Sequence, residues 1–285
     1  MKREVPRPAV LLDQLSEMYP ESSKTTLRQL LQTGRVRVNG GIEKNAKLEL
    51  VAGDEVEVTQ KSSQTLLPNE LSILYEDGDV IVVYKANGLL TVATERERET
   101  TAQAYLNQYV GARRGQERIQ VVHRLDRETS GVLLFAKNAH ARERLKEQFA
   151  EHTIDRLYVA LIEGRIDPPR GTIESWLRER RDLKMVSGPP HPEAKLAITH
   201  YETVKTNAKY SMLEVRLETG RKNQIRAHLS EAGHPVLGDR MYGSEVNPIA
   251  RLALHAKRLG FEHPVTGKKM LFESAVPTSF SRLMG

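Results

Sequence analysis

Cysteine is absent from the 285 residues of this chain, and aromatic residues make up only 5% of them. Without cysteine the protein can have no disulfide framework, no thiolate metal site and no cysteine nucleophile. The scarcity of aromatic side chains argues against a broad platform on which bases stack. It favours contacts along a ligand's backbone together with one specific pocket.

Long apolar segments are also missing. No apolar run approaches the roughly 18 residues that a membrane-spanning helix needs. The N-terminus is charged and has no apolar core followed by a small-residue cleavage site. We therefore expect a soluble, cytoplasmic protein with no membrane partner. Its length is sufficient for about two domains.

Positive charge is in moderate excess, with 43 lysines and arginines against 37 aspartates and glutamates and a net charge of +6. Such an excess favours a polyanionic partner without requiring one. Basic residues cluster at 113–114, 178–184 and 221–222. A solvated surface explains each cluster as well as a polyanion does, so charge alone leaves the partner open.

The first 60 residues are predicted to form a small α/β module. Residues 1–10 contain two prolines and no periodic apolar pattern, and are predicted to be a tail. From Leu11 the leucines follow helical spacing until Pro20. A second helix is predicted after a pair of capping serines at 22–23.

A β-hairpin is predicted next, because residues 35–38 alternate arginine with valine and are followed by Asn39 and Gly40. Asn-Gly between two alternating segments is the strongest short hairpin signal. Residues 48–58 complete a small sheet in this prediction.

A polar stretch at 61–68 is predicted to be a linker, which makes 69–285 a second domain after the module at 1–60. Further strands are predicted at 71–75, 80–84, 118–124, 131–137, 156–164, 195–205, 210–218, 253–262 and 268–273. Strands outnumber helices and several have short connections. This pattern predicts an α+β domain with a largely antiparallel sheet, flanking helices and a central cleft.

The stretch at 123–131, HRLDRETSG, joins two predicted strands. It places Asp126 between Arg124 and Arg127, whose positive charges would keep the carboxylate ionised and available as a nucleophile. A turn aspartate in a structural ion pair would have the same pattern. Chemistry alone therefore leaves both interpretations open.

This stretch resembles the signature of the RluA family of RNA pseudouridine synthases. Other blocks that resemble motifs of the family follow in its order, at 80–89, 156–161, 217–228 and 233–243. The first 60 residues resemble the small αL RNA-binding module that frequently precedes this catalytic domain. The resemblance implies an enzyme that isomerises uridine to pseudouridine in RNA, with ribosomal RNA favoured and transfer RNA the alternative.

The resemblance also implies roles for individual residues. Asp126 would act on the ribose as nucleophile or base, Arg226 would pair with Asp126, and Tyr158 would stack on the uracil and later take the carbon 5 proton. Arg124 would help to extrude the nucleotide. Contacts with RNA are expected from four further arginines: Arg28, Arg35, Arg37 and Arg221.

The residues by themselves leave other interpretations open. Tyr158 lies in a strand pattern and Arg226 in a helical one, so a packing role and a surface role are alternatives. A non-catalytic RNA-binding or ribosome-assembly factor that keeps the fold is the main alternative to an enzyme. A glycosidase would need a second acid beside Asp126, and Glu128 is the only near candidate.

No cofactor is implied, because the conversion of uridine to pseudouridine needs neither a metal nor a redox group. His123, His228 and His234 lack the spacing and sulfur partners of a metal site, so we assign them structural roles. We expect RNA as the partner and a monomeric protein.

The sequence departs from the family pattern at three positions. Ala86 stands where proline is usual, Arg156 where lysine is usual, and Asn223 where histidine is more common. None of them is one of the expected catalytic residues. They bear on the choice of target uridine more than on the reaction.

Overall fold

Two units make up the chain in the computed structural model, which describes residues 2–32, 34–59, 67–95, 97–114 and 118–285. One unit comprises Met1–Leu66 with Gln108–Gln116, and the other comprises Leu67–Asn107 with Glu117–Gly285. Most of the predicted linker at 61–68 lies outside the described residues, so the domain boundaries stay a prediction. No helix in the described ranges is both long and apolar enough to cross a membrane.

The N-terminal part forms short elements: β1 (Lys2–Glu4), β2 (Ala9–Val10), α1 (Leu11–Met18), α2 (Lys24–Gln32), β3 (Val36–Val38), β4 (Gly41–Ile42), β5 (Glu49–Leu50) and β6 (Glu55–Val58). The prediction of a tail over residues 1–10 is wrong, because β1 pairs with β6 and β2 pairs with β5. The side chains of β1 are exposed and charged. An edge strand without apolar alternation leaves no signal in the sequence.

Two features predicted from local sequence in this unit, the serine cap of the second helix and the Asn-Gly turn of the hairpin, are confirmed. The Ser23 hydroxyl accepts a hydrogen bond from the Thr26 N–H at 3.1 Å and so caps α2. Asn39 and Gly40 have φ angles of 51° and 82° and form the two-residue turn between β3 and β4. The helices and strands share one apolar core, which includes Leu11, Leu15, Leu27, Leu31, Val36 and Val56.

The remaining elements are β7 (Leu71–Glu76), β8 (Val80–Lys85), α3 (Ala102–Arg114), β9 (Gln120–Val121), β10 (Ser130–Ala136), α4 (Ala139–Ala150), β11 (Asp155–Glu163), β12 (Arg170–Glu179), β13 (Met185–Gly188), β14 (Lys195–Thr206), β15 (Tyr210–Leu217), α5 (Gln224–Glu231), β16 (Leu254–Glu262), β17 (Lys269–Glu273) and α6 (Thr278–Met284). The strands among them form one large sheet in the order β13-β12-β14-β15-β11-β16-β10-β8-β7. Strand β17 pairs with β16, and β9 pairs with β10. Of these described strand pairs only β10 and β16 run parallel. The predicted α+β class with a largely antiparallel sheet is confirmed.

The ends of most predicted strands in this sheet agree with the structure within two residues. The strand predicted at 118–124 is shorter, as β9, and two strands of this sheet, β12 and β13, were not predicted. Along the missed strand β12 most side chains are exposed or only half-buried. Its apolar alternation is therefore weak, and the short strand β13 that pairs with it shares this weakness. The C-terminal helix α6 was also missed.

The parallel pair β10 and β16 brings two backbones unusually close. Gly131 has a φ of 125°, and a Cβ atom added there would lie 2.1 Å from the carbonyl oxygen of Ala256. Only glycine fits this position. Beside it, the Ser130 hydroxyl and His255 Nδ1 form a buried hydrogen bond of 2.8 Å. The chain therefore enters β10 in the middle of the sheet, directly after the stretch that contains Asp126.

Candidate active site

Residues 124–127, which we call the aspartate loop, connect β9 to β10 and carry Asp126. A second loop holds this one through Thr91. The Thr91 hydroxyl donates to the Leu125 carbonyl at 2.7 Å and accepts from the Leu125 N–H at 3.2 Å. Both residues are buried. The backbone that precedes Asp126 is therefore fixed by a fully enclosed pair of hydrogen bonds.

Lys85 fixes the other side of the aspartate loop. Its buried ammonium donates to the carbonyls of Ala86, Leu89 and Arg127 at 3.0, 2.7 and 3.1 Å. Gly88 N–H also donates to the Arg127 carbonyl, and Arg127 Nε donates back to the Gly88 carbonyl. Burial lowers the pKa of Lys85 to about 7, although nearby carboxylates raise it. The sequence signal for this residue is a lysine at the end of an apolar strand, β8.

Arg226, on α5, joins Asp126 to a second carboxylate. Its Nη1 lies 3.2 Å from Asp126 Oδ2, while Nε and Nη2 lie 2.6 and 2.8 Å from the two carboxylate oxygens of Asp239. Asp239 therefore holds the guanidinium by two bonds and aims the third nitrogen at Asp126. Burial would lower the pKa of Arg226, but hydrogen bonds and charge from the two aspartates outweigh it and raise that pKa.

The structure thus brings Arg226 to Asp126 across a hundred residues of sequence, as the family resemblance implies. It also adds Asp239, which sequence reasoning missed. Asp239 lies within the block 233–243, but nothing in that pattern indicates which arginine it binds. Its side chain is only 1% exposed, so Arg226 is the partner that compensates a buried negative charge.

Tyr158 lies on β11, the strand beside β16, and is buried. The register of β11 against β16 shifts between Leu157 and Tyr158, which marks a bulge. Bulges re-aim side chains and are frequent next to active sites. Burial raises the pKa of Tyr158, the charge of Arg156 opposes this, and the charge of Asp126 adds to it. The phenol is therefore protonated at neutral pH.

A cavity of about 540 Å³ is lined by the predicted site residues that lie in the second unit. Five of them line it: Asp126, Tyr158, Arg226, Arg124 and Arg221. Arg124 is exposed at the opening. Arg221 is half-buried, and its Nε donates to the Leu196 carbonyl at 2.8 Å. The cavity thus combines an oriented carboxylate, a buried phenol and several guanidinium groups.

The other three predicted RNA contacts lie in the first unit. Arg28 is exposed on α2. Arg35 Nε donates to the Thr59 carbonyl and Arg37 Nη1 to the Gly40 carbonyl, both at 3.1 Å. These two side chains are half-buried. Their contact with RNA stays a prediction.

Two of the histidines considered as metal ligands are hydrogen-bonded inside the protein. His123 Nε2 accepts from the Leu134 N–H at 3.0 Å, and burial together with the charge of Arg156 lowers the pKa of His123 to about 3. His228 lies between the hydroxyls of Ser175 and Thr199, each at 2.9 Å. Both histidines are neutral and serve the packing of the site.

One group within the described residues has metal-ligand spacing, and it lies away from the cavity lining. It consists of Asp77, Asp79 and His263. Asp77 Oδ2 accepts from the Tyr75 hydroxyl at 2.8 Å and from His263 Nε2 at 2.9 Å, and Asp79 accepts from Asn138. These hydrogen bonds give the group a structural role at the turn after β7.

Comparison with known proteins places two family models on this chain. The model for RNA pseudouridylate synthase matches residues 79–231, and the model for the S4 domain matches residues 11–56. The first match contains the aspartate loop, β11 and α5. The second covers the two helices and most of the small sheet.

Relatives match over nearly the full length of the chain. YlyB of Bacillus subtilis, named as an uncharacterized RNA pseudouridine synthase, is 35% identical over 272 residues, which are 92% of this chain and 88% of that protein. Ribosomal large subunit pseudouridine synthase D of Pasteurella multocida is 31% identical over 292 residues, 96% of this chain and 90% of that protein. The solved structure of human RNA pseudouridylate synthase domain containing 4 has the same fold, with a TM-score of 0.62, 23% identity and coverage of 74% and 92%.

Proposed function

The chain belongs to the RNA pseudouridylate synthase family, and we propose that it isomerises uridines of large-subunit ribosomal RNA with Asp126 as the residue that acts on the ribose. The reaction breaks the bond between uracil N1 and ribose C1′, turns the base, and joins its carbon 5 to C1′. Substrate and product have the same atoms, so no oxidant or reductant takes part. The choice of RNA is supported by relatives such as the Pasteurella multocida protein, whose name specifies the large ribosomal subunit.

The contact between Arg226 Nη1 and Asp126 Oδ2 at 3.2 Å carries this proposal. The guanidinium fixes which oxygen of Asp126 is left free. That oxygen can attack C1′ as a nucleophile, as carboxylates do at anomeric centres, or take a proton from the ribose to open a glycal route. Both routes need this one carboxylate held in a cavity of nucleotide size.

Tyr158 supplies the next steps in this proposal. Its ring stacks on the turned uracil, and its hydroxyl relays the proton that carbon 5 loses after the new bond has formed. The phenol oxygen takes this proton as its own O–H proton leaves, and uracil N1 gains a proton in turn. Arg124, exposed at the cavity opening, fills the space that the extruded nucleotide leaves in the RNA.

The first unit adds affinity for RNA in this proposal. Its S4 domain match supports contact with RNA, and we assign the phosphate contacts to Arg28, Arg35 and Arg37. Each phosphate that an arginine neutralises on a single strand should add about 0.7 to the slope of log affinity against log salt. The protein acts as a monomer and without a metal in this proposal.

Mapping of pseudouridines across total RNA, with and without the gene, tests the function. Deletion should remove one or more pseudouridines from large-subunit ribosomal RNA. The wild-type gene and a gene with the exposed substitution Asp13→Asn should restore them, while Asp126→Asn should not. An unchanged map after deletion would exclude this substrate. Restoration by Asp126→Asn would instead favour a non-catalytic RNA-binding factor.

A further inference from the structure

Arg156 is a buried guanidinium on β11, two residues before Tyr158, with only 7% of its surface exposed. Its Nη2 donates to the carbonyls of Leu217 and Glu218 at 3.2 and 2.8 Å. The guanidinium carbon lies 5.4 Å from the centre of the Phe149 ring. These contacts fix the position of the group but leave its positive charge without a counterion.

The missing counterion distinguishes Arg156 from Arg226 and Arg258. Across the described part of the chain Arg156 has no carboxylate partner, and its buried Nε makes no hydrogen bond. By contrast, Arg226 binds Asp239, and Arg258 on the neighbouring strand binds Asp155 at 2.9 Å. Burial of an unpaired charge is costly. An anionic ligand would offset this cost by completing the pair.

The free side of this guanidinium faces the cavity. Nη1 hydrogen-bonds to none of the described residues, yet it is not fully enclosed, and Arg156 lines the cavity. Gly220 makes the necessary space, because a Cβ atom added there would lie 2.5 Å from Nη1. The two N–H groups of Nη1 are therefore available to an acceptor that enters the cavity.

The lining as a whole carries more positive than negative side chains. Asp126 is the only carboxylate among the described residues that line the cavity, and five side chains there are cationic: Arg124, Arg156, Arg221, Lys222 and Arg226. Arg226 is paired with aspartates and Lys222 with Glu179. The other three cations have no carboxylate partner in the described ranges. An anion is thus the ligand that the lining requires.

We propose that Arg156 binds a backbone phosphate of the RNA next to the extruded uridine, at a subsite formed with Gly220 and Arg221. This proposal rests on the proposed function, because it assumes that RNA enters this cavity. A phosphate matches the planar N–H groups of a guanidinium, which form stronger and better oriented bonds than an ammonium does. Arginine at this position gives the subsite that geometry.

Salt dependence of binding tests the proposal on the full chain with a labelled decauridylate, which supplies uridines flanked by phosphates. Arg156→Met should weaken binding and reduce the slope of log affinity against log salt by about 0.7, the value for one phosphate on a single strand. Arg156→Lys should keep most of the slope. The matched control Arg258→Met also removes a guanidinium from the sheet, but outside the cavity lining, and should leave the slope unchanged.

A purely structural role predicts another result, since the carbonyl contacts of Arg156 would then matter for melting temperature alone. A folded Arg156→Met protein with the wild-type slope would overturn the proposal. A second measurement uses the wild-type chain with isotope-labelled arginine, where the Arg156 Nε–H resonance is assigned by its loss in Arg156→Lys. It should shift on addition of decauridylate and stay in place with uridine alone. An equal shift with uridine would assign Arg156 to the base and overturn the phosphate subsite.

The two hypotheses fail separately. If Asp126→Asn still isomerises RNA, the proposed role of Asp126 fails, while the salt slope of Arg156→Met still decides the subsite. If the slope of Arg156→Met is unchanged while isomerisation depends on Asp126, only the subsite fails.

Discussion

Two sides of one cavity bury an arginine in opposite ways. On the side of the aspartate loop, Arg226 is bound by Asp239 and touches Asp126, so its charge is balanced before any ligand arrives. On the side of β11, Arg156 has only carbonyl oxygens as hydrogen-bond partners among the described residues. The balanced side is preorganised for chemistry, because its groups need no rearrangement when charge develops. The unbalanced side retains its charge for binding.

Removal of the negative charge on the balanced side should have the largest effect. Asp126→Asn keeps the size and the polar contacts of the side chain, so we expect a folded protein that binds decauridylate like the wild type and has no turnover. Isomerisation assays and binding to the same RNA measure the two effects. Turnover at even a few per cent of the wild-type rate would contradict the assignment.

Arg226→Met removes the positive charge that pairs with Asp126 and Asp239. Turnover should be lost, and the free energy of unfolding should fall by about 3–5 kcal/mol, because Asp239 then keeps a buried charge without compensation. Chemical denaturation measures the loss. The double variant Arg226→Met with Asp239→Leu removes both charges and should recover much of the stability but no activity. Normal turnover in Arg226→Met would show that Asp126 needs no partner.

Tyr158→Phe tests the phenol on the side of β11. The ring remains and only the hydroxyl is lost, so affinity for RNA should persist while the rate falls by about 10²–10⁴-fold, the usual value of a positioned proton-transfer group. Single-turnover rates measured at saturating RNA separate the loss in rate from any loss in binding. An unchanged rate would return Tyr158 to a packing role.

Buried histidines provide a third way to enclose an ionisable group, since they are kept neutral. Burial lowers the pKa of His228 and of His255 to about 4. Between about pH 6.5 and this value the unfolded chain binds more protons than the folded chain, so the free energy of unfolding decreases as the pH falls through that window. Urea denaturation at both ends of the window measures the decrease. His228→Gln should show a smaller decrease, and an equal one would contradict the role of His228.

Regular patterns in the sequence predicted most of this fold. Asn39 and Gly40 fixed one hairpin because their positive φ angles are a local property. The missed strands β1 and β12 have exposed polar side chains, and only their pairing partners make them strands. Tertiary pairing of this kind is not encoded in any short segment.

The same limit applies to the candidate site. Asp126, Tyr158 and Arg226 were accessible through their motifs, and the structure places all three on one cavity. The role of Asp239 could not be predicted from its motif, because it depends on which guanidinium the fold brings close to this carboxylate. The lack of a counterion at Arg156 was equally invisible, since a missing contact can be recognised only when all neighbours are known.

The parallel pairing of β10 with β16 has a consequence for when the enzyme becomes active. It joins Ser130 to His255, 125 positions further along the chain. Contacts of such separation form late, since a long loop must close before they contribute. A chain still emerging from the ribosome contains the aspartate loop long before it contains β16. We therefore expect RNA modification to begin only after synthesis has passed Glu262, so that partly made chains leave the RNA untouched.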